Sequence, residues 1–122
     1  MALGLRGIRL CLRCLEIFRA QFRAILRAGA YGNLQIVYPM VSGVSEIKAA
    51  NDLLEQALES LKSEGAAFNA QIPVGIMIEV PSAAIMAHEL IKHTRFFGIG
   101  TNDLIQYTLA ADRSNPNDLD IF

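Results

Sequence analysis

The sequence has no Trp, only two Cys, two His and four Pro in 122 residues. So few cysteines exclude a dense disulfide scaffold, and four prolines with nine glycines exclude a collagen-like repeat. No apolar stretch approaches the roughly 18 residues of a membrane span, and the first residues carry no small-residue cleavage pattern, so a cytoplasmic protein without membrane insertion is expected. No Gly-x-Gly-x-x-Gly turn and no Walker loop occur, which removes support from nucleotide-binding open sheets. Cys11 and Cys14 form a Cys-x-x-Cys pair with no second pair and no His at metal spacing. They read as two small apolar residues at the junction of two elements rather than as a zinc or redox site.

What is present is the composition of a globular protein, 52% hydrophobic and 19% charged. The length falls near the commonest domain size, about 100–150 residues. A formal charge of −1 hides an asymmetry, because residues 1–30 hold six Arg against Glu16 alone, a local charge of +5. Arg19, Arg23 and Arg27 recur at every fourth position and share one helix face, read here as a solvated face. Nucleic-acid binding is not expected, since no aromatic residues alternate with these arginines and the remainder of the chain is acidic.

Residues 5–12 alternate weakly and are expected to form a short strand that contains Arg6 and Arg9. Leu15, Phe18, Phe22, Ile25 and Leu26 follow at three- and four-residue steps, an amphipathic helix stopped by Gly29 and Gly32. A strand over residues 34–38 is closed by Pro39. Ser42 is placed to cap a helix whose buried face is Ile47, Ala50, Leu54, Ala57, Leu58 and Leu61. A strand over residues 74–79 precedes Pro81, and residues 82–92 read as a helix packed through Ile85, Met86 and Leu90. Residues 96–100 form a fourth strand, with Asn102 as the cap of a last helix ending near Ala111. Four βα units in succession predict parallel strands, as in part of a (β/α)8 barrel, the α/β fold in which polar groups gather at the C-terminal strand ends.

Glu79 ends an otherwise apolar strand and shares a face with Met77 and Gly75, which in a barrel sends its carboxylate to the mouth. The alternative is a carboxylate resting on the N-terminus of the helix opened by Pro81. Asn102 and Asp103 sit at the next strand end, either as a simple helix cap or, with Glu79, as a hard-oxygen site for Mg2+. Arg6, Arg9 and Arg113 offer planar forks suited to phosphate or carboxylate. His88 and His93 lie away from any strand end and read as surface or packing residues.

The run from Phe96 to Arg113, FFGIGTNDLIQYTLAADR, closely resembles the C-terminal barrel signature of enzyme I of the phosphoenolpyruvate:sugar phosphotransferase system. Gly75-Ile-Met-Ile-Glu-Val-Pro81, Tyr38-Pro-Met40 and Leu3-Gly-Leu-Arg-Gly-Ile-Arg9 match the same family in the same order, so the resemblance spans residues 3–113. Pyruvate phosphate dikinase and phosphoenolpyruvate synthase share the Gly-Thr-Asn-Asp-Leu-x-Gln core, but the residues after Gln106 look like enzyme I. Gly98 departs from the family, which usually has Ser there.

The resemblance implies that residues 1–122 are a piece, about four βα units, of the phosphoenolpyruvate-binding (β/α)8 barrel of a phosphotransferase. Glu79 and Asp103 would hold Mg2+, and Arg6, Asn102, Asp103 and Arg113 would bind phosphoenolpyruvate. The parent would pass the phosphoryl group to a histidine and then to the carrier HPr, serving sugar uptake as a cytoplasmic homodimer. The acceptor His and the Cys that protonates the enolate are not matched by any residue here, so this chain alone is expected not to turn over. A non-catalytic module that self-associates through uncovered strand edges is the reading from a different class.

Overall fold

The computed structural model describes residues 2–121. Helix α1 (Ile8–Arg13) leads into α2 (Leu15–Ala28), strand β1 (Ile36–Tyr38) and the long helix α3 (Val44–Ser63). Strand β2 (Val74–Ile78) is followed by α4 (Pro81–Ile85), α5 (Ala87–Leu90) and a 3-10 turn over Ile91–His93. Strand β3 (Phe97–Ile99) and helix α6 (Thr101–Leu109) precede a second 3-10 segment over Pro116–Ile121.

The three strands form one parallel sheet in the order β1-β2-β3, with Ile36 opposite Val74 and Met77 opposite Gly98. Parallel neighbours need a crossover, supplied by α3 between β1 and β2 and by α4 with α5 between β2 and β3. Helix α2 buries Phe18, Phe22 and Leu26, one per turn, and packs against α3. Phe22 reaches the sheet, its ring centroid 6.1 Å from that of Tyr38 in an edge-on contact. From α3, Ile47, Ala50, Leu53, Ala57 and Leu61 complete the core, with Leu54 and Leu58 half-buried at its margin.

Four βα units were expected, and three strands are found among the described residues. The strand expected over residues 5–12 is instead α1, with Cys11 N–H donating to the Gly7 carbonyl at 3.1 Å and Cys14 N–H to that of Leu10 at 2.9 Å. The cause is visible in the packing: Ile8, Cys11 and Leu12 face the core at helical spacing, whereas Leu10 is exposed. Arg9 therefore lies on a helix, and Arg6 precedes it.

The expected single helix over residues 82–92 is broken at Met86, whose φ of −94° and ψ of 13° leave the helical range. Ala83 and Leu90 bury fully, while Ile85 is 78% exposed and Met86 is exposed as well, so neither joins the core. Two expected caps also move by a residue or more. Gly43 holds the cap position of α3, and Glu46 reaches back to accept the Ser42 backbone N–H at 2.6 Å and the Ser42 hydroxyl at 3.0 Å. Gly100 holds that of α6, because its N–H still donates to Ile78 while its carbonyl already accepts from Leu104. Asn102 is thus inside the first turn.

The arginine stripe of α2 is not simply solvated. Arg23 donates two hydrogen bonds to the Glu64 carboxylate, at 2.9 and 2.8 Å, and one to Ser60 at 2.6 Å, while Arg19 reaches Gln56 at 3.2 Å. Arg23 holds the Glu64 carboxyl below its ordinary value of 4.5, chiefly through that hydrogen bonding. A depressed carboxylate stabilises the fold above its ordinary pKa and loses that contribution as pH falls through the lowered value. Urea titrations are therefore expected to show stability falling less steeply below pH 4.5 in Arg23→Ala than in the unaltered chain. Equal slopes would remove this pair from the pH dependence.

Candidate functional site

All three strands release the chain at one edge of the sheet, and the polar residues gather there. Glu79 immediately follows β2 and is only 8% exposed. Its Oε1 accepts the backbone N–H of Met40 at 2.7 Å, just beyond β1. Its Oε2 lies against Gly100 at the end of β3, where a Cβ would come within 2.5 Å of it. Glu79 is therefore turned along the strand edge, not simply onto the N-terminus of α4.

Asp103, in the first turn of α6, is 9% exposed. Arg6 approaches its Oδ2 at 3.6 Å and Arg113 its Oδ1 at 3.4 Å. These separations exceed the roughly 2.8 Å of a closed charge-assisted hydrogen bond, so both guanidinium groups keep donors available for another anion. Among the described residues Asp103 Oδ1 is a buried oxygen without a hydrogen-bond partner. Such an atom carries a desolvation cost that a bound cation would relieve.

Each arginine is held by its surroundings. Arg6 donates to the Tyr107 hydroxyl at 3.1 Å, and Tyr107 in turn donates to the Ala2 carbonyl. Arg113 is anchored through its backbone N–H, which donates to Gln106 Oε1 at 3.0 Å, with Gln106 itself buried. Asn102 is exposed beside Asp103.

The structure thus brings together Arg6, Asp103 and Arg113, and sets Glu79 and Asp103 on either side of Gly100 in the chain path from β2 to α6. Arg9 does not join them; it turns to Glu46 at 3.9 Å. His88 is exposed against Glu89 at 3.5 Å, and His93 lies before β3, at the opposite end of that strand from Gly100. Cys11 and Cys14 are free thiols, and burial pushes the Cys11 thiol above its ordinary value. Sequence reasoning gave no role to Met40, Gln106 or Tyr107. Gln106 and Tyr107 are legible as polar positions three and four residues beyond Asp103, one helical turn on.

Among the described residues no group of three or more His, Cys, Asp and Glu gathers as a metal cage. Two buried carboxylates, one with an oxygen that lacks a hydrogen bond, fit a cation that takes its remaining ligands from substrate and water, the habit of Mg2+. No helix is long and apolar enough to cross a membrane among the described residues.

The family model for the PEP-utilising enzyme, PEP-binding domain, matches residues 2–121. Phosphoenolpyruvate-protein phosphotransferase of Bacillus subtilis (strain 168) is 54% identical over 113 residues, which cover 93% of this chain and 20% of that protein. The proteins of the same name from Listeria monocytogenes and Staphylococcus aureus are each 52% identical, over 93% and 91% of this chain and 20% and 19% of their own lengths. The chain spans about a fifth of the length of the curated relatives it matches.

Proposed function

The chain belongs to the PEP-utilising enzyme family through its PEP-binding domain, and from that premise we propose that it is part of a phosphoenolpyruvate-protein phosphotransferase and carries the phosphoenolpyruvate contacts of that enzyme. The observation that supports this most is Asp103, buried between Arg6 and Arg113, its Oδ1 facing Arg113 without a closed hydrogen bond. Glu79 and Asp103 would hold Mg2+. When bound, that ion supplies positive charge against the phosphoryl and carboxylate oxygens of the substrate.

The residues themselves carry the rest of the reading. Arg6 and Arg113 present forked donors from two sides, matched to a planar carboxylate or a phosphoryl group. Asn102 and the first turn of α6 add a helix N-terminus that favours negative charge. Tyr107 and Gln106 keep the two arginines in place before substrate arrives, so little ordering remains to be done on binding. These parts orient a phosphorylated acid and offset its charge; the phosphoryl acceptor would be a histidine elsewhere in the parent enzyme, which passes the group on to a separate partner, the carrier HPr. On this reading the present chain binds without turnover, and neither His88 nor His93 serves as the acceptor.

The parallel strands, their helical crossovers and the uncovered outer edges of β1 and β3 fit part of a (β/α)8 barrel that the parent completes as a cytoplasmic homodimer. Ile99 on β3 is 69% exposed, an apolar edge that could also recruit a second copy of this chain. Light scattering separates the two, since self-association raises the apparent mass with concentration.

Equilibrium dialysis tests the anion clamp. With Mg2+ present, phosphoenolpyruvate is expected to bind saturably, and Arg6→Ala or Arg113→Ala to weaken it about tenfold each, or about 1.4 kcal/mol. Pyruvate, which lacks the phosphoryl group, is expected to bind far more weakly. Equal retention of pyruvate and phosphoenolpyruvate, or indifference to both substitutions, would overturn the assignment.

A further inference from the structure

The Met40 N–H that meets Glu79 is delivered by an unusual backbone. Met40 has φ of 58°, the left-handed region that non-glycine residues rarely occupy, and its side chain is 7% exposed. Such a conformation persists only where the surroundings impose it. Here the imposing segment is Gly7-Ile8: Ile8 N–H donates to the Pro39 carbonyl at 3.1 Å, and Gly7 lies directly against the Met40 side chain. A Cβ on Gly7 would fall 2.6 Å from both Cβ and Cγ of Met40, and Gly7 itself has φ of 57°. The residue before Gly7 is Arg6.

We propose that Gly7 and Met40 form a latch that sets the rotamer of Glu79 from outside the metal shell. The Met40 N–H holds Oε1 and so leaves Oε2 against Gly100 at the end of β3, where it would serve the cation. The latch ties one carboxylate ligand to the same three-residue stretch that carries the Arg6 clamp. Met40 and Gly7 are positioning residues, acting through Glu79. The inference rests on the carboxylate reading given above, and groups that orient metal ligands typically change metal affinity by roughly 10–100-fold when altered.

Mn2+ binding followed by electron paramagnetic resonance, together with selective 15N labelling of Met, tests it on the 122-residue chain. Without metal, Glu79→Gln is expected to move the Met40 amide resonance strongly; an unmoved resonance overturns the latch whatever the metal does. Mn2+ binding by the unaltered chain, by contrast, tests the carboxylate reading itself. Gly7→Ala is expected to weaken Mn2+ by about tenfold. A folded Gly7→Ala chain that binds Mn2+ as tightly as the unaltered chain would overturn the proposal. Should Gly7→Ala not fold, an ester in place of the Pro39–Met40 amide deletes the Met40 donor and weakens the Pro39 acceptor, both parts of the latch, and unchanged Mn2+ affinity in that chain would overturn it equally.

Discussion

Asp103→Ala is expected to abolish Mg2+-dependent phosphoenolpyruvate binding while leaving the chain folded. The loss should be on the order of 100-fold or more in affinity, about 2.7 kcal/mol, because one side chain serves two purposes. Its carboxylate is a proposed cation ligand, and it is also the shared counter-charge of Arg6 and Arg113. Without it two guanidinium groups face each other across an uncompensated gap. The effect on stability is expected to be small, about 1 kcal/mol, because both arginines are partly solvated and one Asp103 oxygen already lacks a hydrogen bond. Asp103→Asn keeps the volume and removes the charge, so it should reproduce the binding loss. Binding preserved in Asp103→Asn, measured by calorimetry beside a urea titration, would show that the charge is not what the site uses.

Gly100→Ala is expected to damage the same site from the opposite side. An added Cβ would sit 2.5 Å from Glu79 Oε2, 2.7 Å from Glu79 Cβ and 3.2 Å from Met77 Cγ. The Oε2 contact alone could be relieved by rotating the carboxylate, but the Cβ contact cannot, so β2 and β3 must shift apart locally. A cost of about 1–3 kcal/mol in stability is expected, as for overpacking of a filled site. Mn2+ affinity should fall with it, since Glu79 can no longer keep Oε2 against the strand end. A variant with unchanged melting temperature and unchanged Mn2+ affinity would mean that Glu79 is not confined by Gly100.

Much of this was readable before any coordinates. Phe18, Phe22 and Leu26 repeat at the helical period and do form the buried stripe of α2. Strands centred on Val37, Ile76 and Gly98 were marked by short apolar runs bounded by Pro or Gly, and all three are present. Glu79 was legible as a candidate because a carboxylate at the end of an apolar strand has few structural reasons to be there, whereas Asn102 and Asp103 taken alone read as well as a simple helix cap.

What misled was residues 5–12, where Ile8, Cys11 and Leu12 satisfy helical spacing but Leu5, Ile8, Leu10 and Leu12 look like a loose alternation. Short apolar runs do not decide between the two periods, and tertiary packing chose the helix. The positive φ of Met40 was not readable, because it follows from contacts with Gly7 and Glu79, which lie 33 residues before it and 39 after it in the chain. The destination of Arg9 was hidden for the same reason: Glu46 comes within reach only once α1 lies beside α3.

The central claim is that Glu79, Asp103, Arg6 and Arg113 act as one site in which a divalent cation and a phosphorylated acid bind together. Calorimetric titration of the 122-residue chain with phosphoenolpyruvate, with and without Mg2+, tests it most directly. The account predicts a saturable isotherm of one site per chain with Mg2+ present, and a much weaker one once the cation is chelated. An isotherm unchanged by removal of the cation would contradict it.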